Sequence, residues 1–346
     1  MKPPIVEMLQ KYAKSRAARL HMPGHKGELC KFDITELSFS DNLQNPQGVI
    51  EQAQRLYAKL FGAEFAHFVT NGSTAGVMAL VGAGEGGFLT ERASHTSVFN
   101  ALKLFGRKTA VVQNGFREGK YFPVTPQQIE KGLDIYPWIK TALVTYPNYY
   151  GECCDLEAIS KICKERRVAL FADSAHGAHF GISPHLPPHA INFCDACTVS
   201  VHKTLPALTQ SAVVLVNGQE LSGRIKKQLN VFNTSSPNYM LLASIDHARY
   251  LLEKHGERAV QRLRKRLPFS ENDDFTRVVI DGTLNGMVPE FCDGRRTVLI
   301  VSVFETKRNI RALLRAAVTG ASEEAGTFPP SIPAALEEAF FEVKSE

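Results

Sequence analysis

At 346 residues the chain can bury a large core and divide into about two domains. Its 44% hydrophobic and 22% charged residues are ordinary for a globular protein, and a net charge of +5 spread over scattered side chains argues against nucleic-acid binding. No apolar run approaches the ~20 residues of a membrane span, Met1 to Leu20 lacks a signal-peptide core, and seven irregularly spaced cysteines fit reduced thiols in the cytoplasm.

In chain order, Lys2, Lys11, Lys14, Arg16 and Arg19 around Ile5, Val6 and Leu9 predict an amphipathic first helix. The Gly/Pro-rich turn His21-Met-Pro-Gly-His25-Lys26-Gly27 follows, and residues 33 to 47 read as extended or looped. Ile50, Ala53, Leu56, Tyr57 and Leu60 give a helix over Val49 to Phe61, stopped by Gly62. Strands are then expected at Phe65 to Val69, Gly87 to Thr90, Thr109 to Gln113, Thr141 to Tyr146, Val168 to Asp173, Ala196 to Val201 and Ala212 to Val216. Helices at Ala75 to Gly82, His95 to Phe105 and Leu156 to Arg166 alternate with them. That alternation predicts an α/β fold with a mostly parallel sheet. Tyr239 to about Leu267 reads as one long helix or a broken pair. Strands at Phe275 to Ile280 and Thr297 to Phe304, with a helix at Asn309 to Ala317, make a small second α/β layer; Val318 to Glu346 is weakly specified. The expected organisation is an N-terminal helix and active-site loop (1–48), a large domain (49–267) and a small C-terminal domain (268–346).

Four features carry chemistry. Asn71-Gly-Ser73-Thr74 opens a helix after a strand, where unpaired first-turn amides and a positive dipole bind anions; a plain N-cap by Ser73 or Thr74 reads the same residues. His95, after the next strand, could stack on a planar cofactor or sit beside a Ser/Thr cap. Asp173 ends a strand, placed to pair with a protonated ring nitrogen or to cap the turn leading to His176 and His179. His202 and Lys203 follow Ser200 and Val201 at a strand end. A lysine there is either a surface residue or an amine that captures a carbonyl cofactor. His185, His189, Cys194 and Cys197 have a superficially zinc-like H-x3-H-x4-C-x2-C spacing, but Cys197 lies within a strand and three prolines interrupt the histidine segment, so no metal is expected. Taken together, the anion cup, ring stack, carboxylate and lysine are the parts of a pyridoxal 5'-phosphate site.

These stretches resemble the Orn/Lys/Arg decarboxylase family, pyridoxal-phosphate enzymes of the aspartate-aminotransferase-like fold (fold type I). The matching runs are His21 to Gly27, Asp33-Ile-Thr-Glu36, Thr70 to Gly76, Ser94-His-Thr-Ser97 and Tyr146-Pro-Asn-Tyr-Tyr-Gly151. They continue with Ala172-Asp-Ser-Ala-His-Gly-Ala-His-Phe180, Ser200-Val-His-Lys-Thr-Leu-Pro206 and Thr234-Ser-Ser-Pro-Asn-Tyr239. The resemblance implies that Lys203 holds the cofactor covalently, Asp173 pairs with its ring nitrogen and His95 stacks on its ring. It further implies that Ser73, Thr74, Ser200 and His202 hold its phosphate, with His176 flanking ring or substrate. It places Ser235 and Ser236 near a homodimer interface, within reach of a neighbour's phosphate. The implied reaction is decarboxylation of an amino acid, with lysine, ornithine or arginine expected, feeding polyamine formation. Transamination or elimination on the same scaffold, and a catalytically weak cofactor-binding partner protein, are the alternatives. Phe328-Pro-Pro-Ser-Ile-Pro333 is a partial echo of a Pro-Gly-Ile-Pro-like family stretch, so a family member with a reduced C-terminal region is expected.

Overall fold

The computed structural model describes residues 2–117, 119–267, 272–284, 286–316, 318–319 and 341–343. Its strands are β1 (Phe65–Val69), β2 (Gly87–Glu91), β3 (Thr109–Val112), β4 (Phe116–Arg117), β5 (Lys120–Tyr121), β6 (Ile139–Thr145), β7 (Ala169–Asp173), β8 (Ala196–Ser200) and β9 (Ala212–Val216). The later ones are β10 (Arg277–Asp281), β11 (Thr283–Leu284), β12 (Phe291–Cys292), β13 (Arg296–Ile300), β14 (Val318–Thr319) and β15 (Phe341–Val343). The helices are α1 (Pro4–Ala13), α2 (Val49–Phe61), α3 (Gly72–Ala83), α4 (Thr96–Leu104) and α5 (Pro126–Ile135). They continue with α6 (Leu156–Glu165), α7 (Val201–Thr204), α8 (Gln219–Phe232), α9 (Tyr239–Arg264) and α10 (Lys307–Arg315).

One eight-stranded sheet has the order β1-β9-β8-β7-β6-β2-β3-β15. β9 runs against both neighbours, and every other pairing in the sheet is parallel. The carboxyl ends of β1, β2, β6, β7 and β8 therefore share one edge, where ligands of open α/β sheets bind.

Both faces of the sheet are covered, so its strands are nearly continuous apolar runs. On β7, Phe171 points into a cluster with α3, α4 and α8, while Leu170 and Ala172 face the cluster containing α2, α6 and α9. α3 is apolar on all sides and packs against α4, α8, β8 and β9, so it is a core helix rather than a surface one. Gly76 permits its closest approach: a Cβ there would stand 2.2 Å from Thr198 Oγ1.

The elements differ from expectation at informative places. The strand leading to Lys203 stops at Ser200, because the Val201 and His202 amides both turn to the Ser211 carbonyl; His202 and Lys203 lie on the single turn α7. β7 and β8 are adjacent, but their connection holds only the 3-10 turn Ala190–Asn192 and no α-helix. α9 is one unbroken 26-residue helix, N-capped by Asn238 accepting the Met240 amide. α5 was legible in its Thr125/Gln128 capping box and Pro126, and α8 in the four-residue spacing of Leu221, Ile225 and Leu229, yet neither is among the predicted elements.

β10, β13 and β12 form a small antiparallel sheet beside α10. β15 pairs parallel with β3 on the large sheet, although it falls within 268–346. Phe328 to Pro333 lies outside the described residues.

Candidate active site

The anion cup begins where β1 hands over to α3. Gly72 takes φ +74, a conformation that side chains resist, and its amide donates to the Gln210 carbonyl. Asn71 is the N-cap but makes no side-chain cap; its amide group instead donates to the Phe232 carbonyl. Neither Ser73 nor Thr74 caps the helix. The Ser73 hydroxyl accepts from Ser200 Oγ at 2.7 Å, tying the helix start to the end of β8. Beyond Gly72, no N-cap side chain takes the first-turn amides, which leaves them for an outside acceptor.

His95 is itself the N-cap of α4, and its Nδ1 accepts from the Ser97 amide at 3.2 Å. The cap and the stacking readings are therefore compatible. Desolvation lowers its pKa, opposed by the Asp173 charge and reinforced by Lys203. Asp173 likewise caps its turn without losing the other reading: Oδ1 accepts the Ala175 amide at 3.2 Å, while the carboxyl lies buried at the end of β7. Burial raises its pKa, and the charges of Lys203 and His95 pull the other way. Behind it stands a second buried carboxylate, Glu91, which accepts from Asn114 Nδ2 at 2.7 Å and from the Thr145 amide at 2.5 Å.

Lys203 Nζ lies 3.1 Å from His176 Nε2, and His176 Nδ1 lies 2.6 Å from Arg277 Nη2. Burial lowers the lysine's pKa, Asp173 opposes this, and Arg277 adds to it. His176 is pushed well below the ordinary imidazole range, first by burial and then by Lys203 and Arg277. His202 Nδ1 meets the Ser211 carbonyl at 2.9 Å, so that nitrogen carries the proton and Nε2 is left for other contacts.

Arg277 is the residue that sequence reading missed. It is 1% exposed, and its Nε and Nη1 find no acceptor among the described residues. Its guanidinium lies 5.8 Å from the Tyr149 ring, which meets the His176 ring edge-on at 5.9 Å. The turn Tyr149–Glu152 seats it: Gly151, at φ +86, lies so close that a Cβ would be 2.6 Å from the Arg277 Cβ, and its carbonyl accepts the Asp274 amide. An arginine inside the apolar run Phe275 to Ile280 was the available signal. Glu290, exposed beside the small sheet, acts electrostatically on Lys203, Arg277 and Tyr149.

Other expected residues fall elsewhere. Ser235 and Ser236 are exposed between α8 and α9. His185 is exposed, whereas His189 is buried against Phe61 with its Nδ1 accepting the Ile191 amide. Cys194 and Cys197 are core residues whose thiols burial pushes up. The zinc-like spacing thus joins an exposed ring to core side chains.

Residues 3–270 match the family described as Orn/Lys/Arg decarboxylase, major domain. The chain belongs to that family. The uncharacterized protein YaaO of Bacillus subtilis is 32% identical over 270 residues, covering 72% of this chain and 56% of that protein. An arginine decarboxylase of Halalkalibacterium halodurans is 30% identical over 275 residues, covering 73% and 56%. The chain therefore spans a little over half the length of these relatives. Among solved structures, the constitutive lysine decarboxylase of E. coli superposes with TM-score 0.72 at 20% identity, covering 91% of this chain and 60% of that one. A serine palmitoyltransferase from S. paucimobilis, solved with bound PLP, superposes with TM-score 0.60 at 13% identity, covering 90% and 82%. The family's major domain here has the fold-type I α/β architecture.

Proposed function

We propose that this family member binds pyridoxal 5'-phosphate and decarboxylates a basic amino acid, releasing an amine and CO2. The observation that carries this is Lys203 Nζ, held by burial toward its free-amine form, on the turn that follows Ser200, whose hydroxyl reaches the open start of α3. The residues present fit the cofactor. Ser73 and Thr74 open α3 and Ser200 bonds Ser73; with His202, on the turn after Ser200, they would hold its phosphate. Asp173 would face its ring nitrogen, His95 its ring and Lys203 its carbonyl. Bound there, pyridoxal phosphate supplies an electron sink for the pair left on the α-carbon when CO2 departs.

The chain's own groups do the rest. Asp173 would keep a proton at the ring nitrogen, where a buried carboxylate is a strong partner. Lys203, beside His176, would be the base and acid for proton transfer at the substrate's α-carbon. The unpartnered Nε and Nη1 of Arg277 are donors for the substrate's carboxylate, and Glu290 supplies the negative charge that a basic side chain requires. Ser235 and Ser236, exposed on their loop, support a homodimer in which each chain reaches its neighbour's phosphate site. Seven unpaired cysteines fit the cytoplasm, and no helix among the described residues is long and apolar enough to cross a membrane.

The test is incubation with pyridoxal phosphate and a mixture of lysine, ornithine and arginine, measuring CO2, amines and keto acids. Amine and CO2 in equal amounts are expected; keto acid without CO2 would replace decarboxylation by transamination. Borohydride trapping should attach the cofactor to Lys203, and Lys203→Ala should remove that label entirely. A label retained in the variant sinks the assignment.

A further inference from the structure

Three groups stand in a line in which only one arrangement of protons makes two hydrogen bonds. Arg277 Nη2 lies 2.6 Å from His176 Nδ1, and His176 Nε2 lies 3.1 Å from Lys203 Nζ. A guanidinium has five N–H donors, no lone pair, and stays charged in proteins. His176 Nδ1 must therefore accept. A neutral imidazole carries one proton, so that proton sits on Nε2. An imidazolium would set N–H against N–H at 2.6 Å, and the burial of His176 beside the Arg277 cation opposes it independently. The Nε2–H then points at Lys203, which can accept only with the lone pair of a neutral amine. Were Nδ1 free to take the proton, Nε2 would accept from an ammonium and favour the unreactive lysine.

We propose that Arg277 is a positioning residue that fixes His176 as its Nε2–H tautomer and thereby presents Lys203 as a free amine. It rests on the reading of Lys203 as the residue that captures the cofactor's carbonyl. The other charges facing Lys203 are Asp173 at the end of β7, His95 at the start of α4 and Glu290 beside the small sheet; Asp173 and Glu290 both favour the ammonium. The Arg277–His176 pair opposes them.

The arginine's seat supports a built arrangement. Gly151 admits its stem at a distance no side chain would allow, its own amide donates to the Asp274 carbonyl, and Asn272 Nδ2 holds its carbonyl at 2.8 Å. Asp274 is pinned in turn by His179 at 3.1 Å, both fully buried.

The test reads Lys203 directly on the full chain free of aldehyde, by the pH dependence of its acylation with acetic anhydride, resolved by peptide mass. Its midpoint should lie well below that of exposed lysines. Arg277→Met should raise it by about one unit, roughly tenfold in free amine at fixed pH, and Arg277→Lys should restore most of the difference. The same Arg277→Met change made in a His176→Ala background should give a clearly smaller shift, because only the direct charge of the arginine on Lys203 is then left to lose. An equal shift in both backgrounds would show direct charge repulsion and overturn the proposal, as would no shift in either. Should Arg277→Met fail to fold, ¹⁵N spectra of unsubstituted protein decide the tautomer: a proton on His176 Nδ1 overturns it, and one on Nε2 supports it. A Lys203 that titrates as expected yet captures no pyridoxal phosphate sinks the function proposed above and leaves this inference standing.

Discussion

The two halves of the candidate site are built on different principles. On the sheet edge, Ser73, Asp173, Ser200 and Lys203 each follow or end a strand, so one register positions them all. On the other side, Arg277 belongs to the small antiparallel layer and reaches His176 only because the Gly151 turn lets two backbones nearly touch. The first half is fixed by topology, the second by one close approach. Substitutions in the edge half should therefore change cofactor chemistry, and those in the other half the state of Lys203.

The largest separation of the two is expected from Asp173→Asn. The buried amide keeps the volume and an acceptor for the Ala175 amide but cannot stabilise a positive ring nitrogen. Turnover should fall about 10²–10³-fold, as for loss of one preorganised electrostatic partner, while borohydride trapping at Lys203 persists. Turnover within threefold of the unsubstituted chain would remove Asp173 from the chemistry.

The glycines that set each half make a matched pair. Gly76→Ala would place a Cβ 2.2 Å from Thr198 Oγ1, on a β-branched residue of the central sheet, so α3 must withdraw and its Ser73–Ser200 hydrogen bond must lengthen. With about 1 kcal/mol at stake per hydrogen bond, affinity for pyridoxal phosphate should fall several-fold relative to that for pyridoxal. Gly151→Ala meets both a positive φ and the Arg277 stem. It should move the Lys203 titration midpoint upward and leave the phosphate-to-pyridoxal affinity ratio alone. If both variants change both measurements equally, the two halves are not independent.

Legibility in the sequence divided along the same line. The strand-end residues could be found because alternating apolar segments locate each strand end, and polar residues there stand out. What could not be read was which role each would take, since the caps made by His95 and Asp173 leave the proposed site roles open to the same side chains. Arg277 escaped because its meaning lies in a contact with His176, 101 residues away, and no local period encodes that. Its burial within an apolar run was visible, but a strand with one face exposed predicts the same pattern. The expectation of a strand through Val201 erred for a similar reason: β-branched valine favours the strand, yet the Ser211 carbonyl claims two successive amides and starts a turn.

The edge half also depends on the β7–β8 connection, and there the smallest effect is expected. His189 in that connection is 1% exposed, packs on Phe61 and accepts the Ile191 amide at Nδ1, so it is folded in as a neutral ring. Burial depresses its pKa to about 3, against roughly 6.5 in the unfolded chain. The unfolded state therefore binds more protons between those values, and stability is lost as pH falls below about 6.5. His67, depressed to about 4 by burial, acts in the same direction. Asp246, raised by burial to about 6, acts in the opposite one, since its folded form holds the proton. A difference measurement isolates His189. His189→Asn keeps an acceptor for the Ile191 amide but does not titrate, so it should be less stable than the unsubstituted chain at pH 7.5. Urea denaturation should show that gap narrowing by up to ~2 kcal/mol at pH 5, the linkage expected of one group 1.5 units below its unfolded pKa. A gap that stays constant would mean that His189 takes up a proton within the fold, and that the connection bracing Asp173 and Lys203 is open to water.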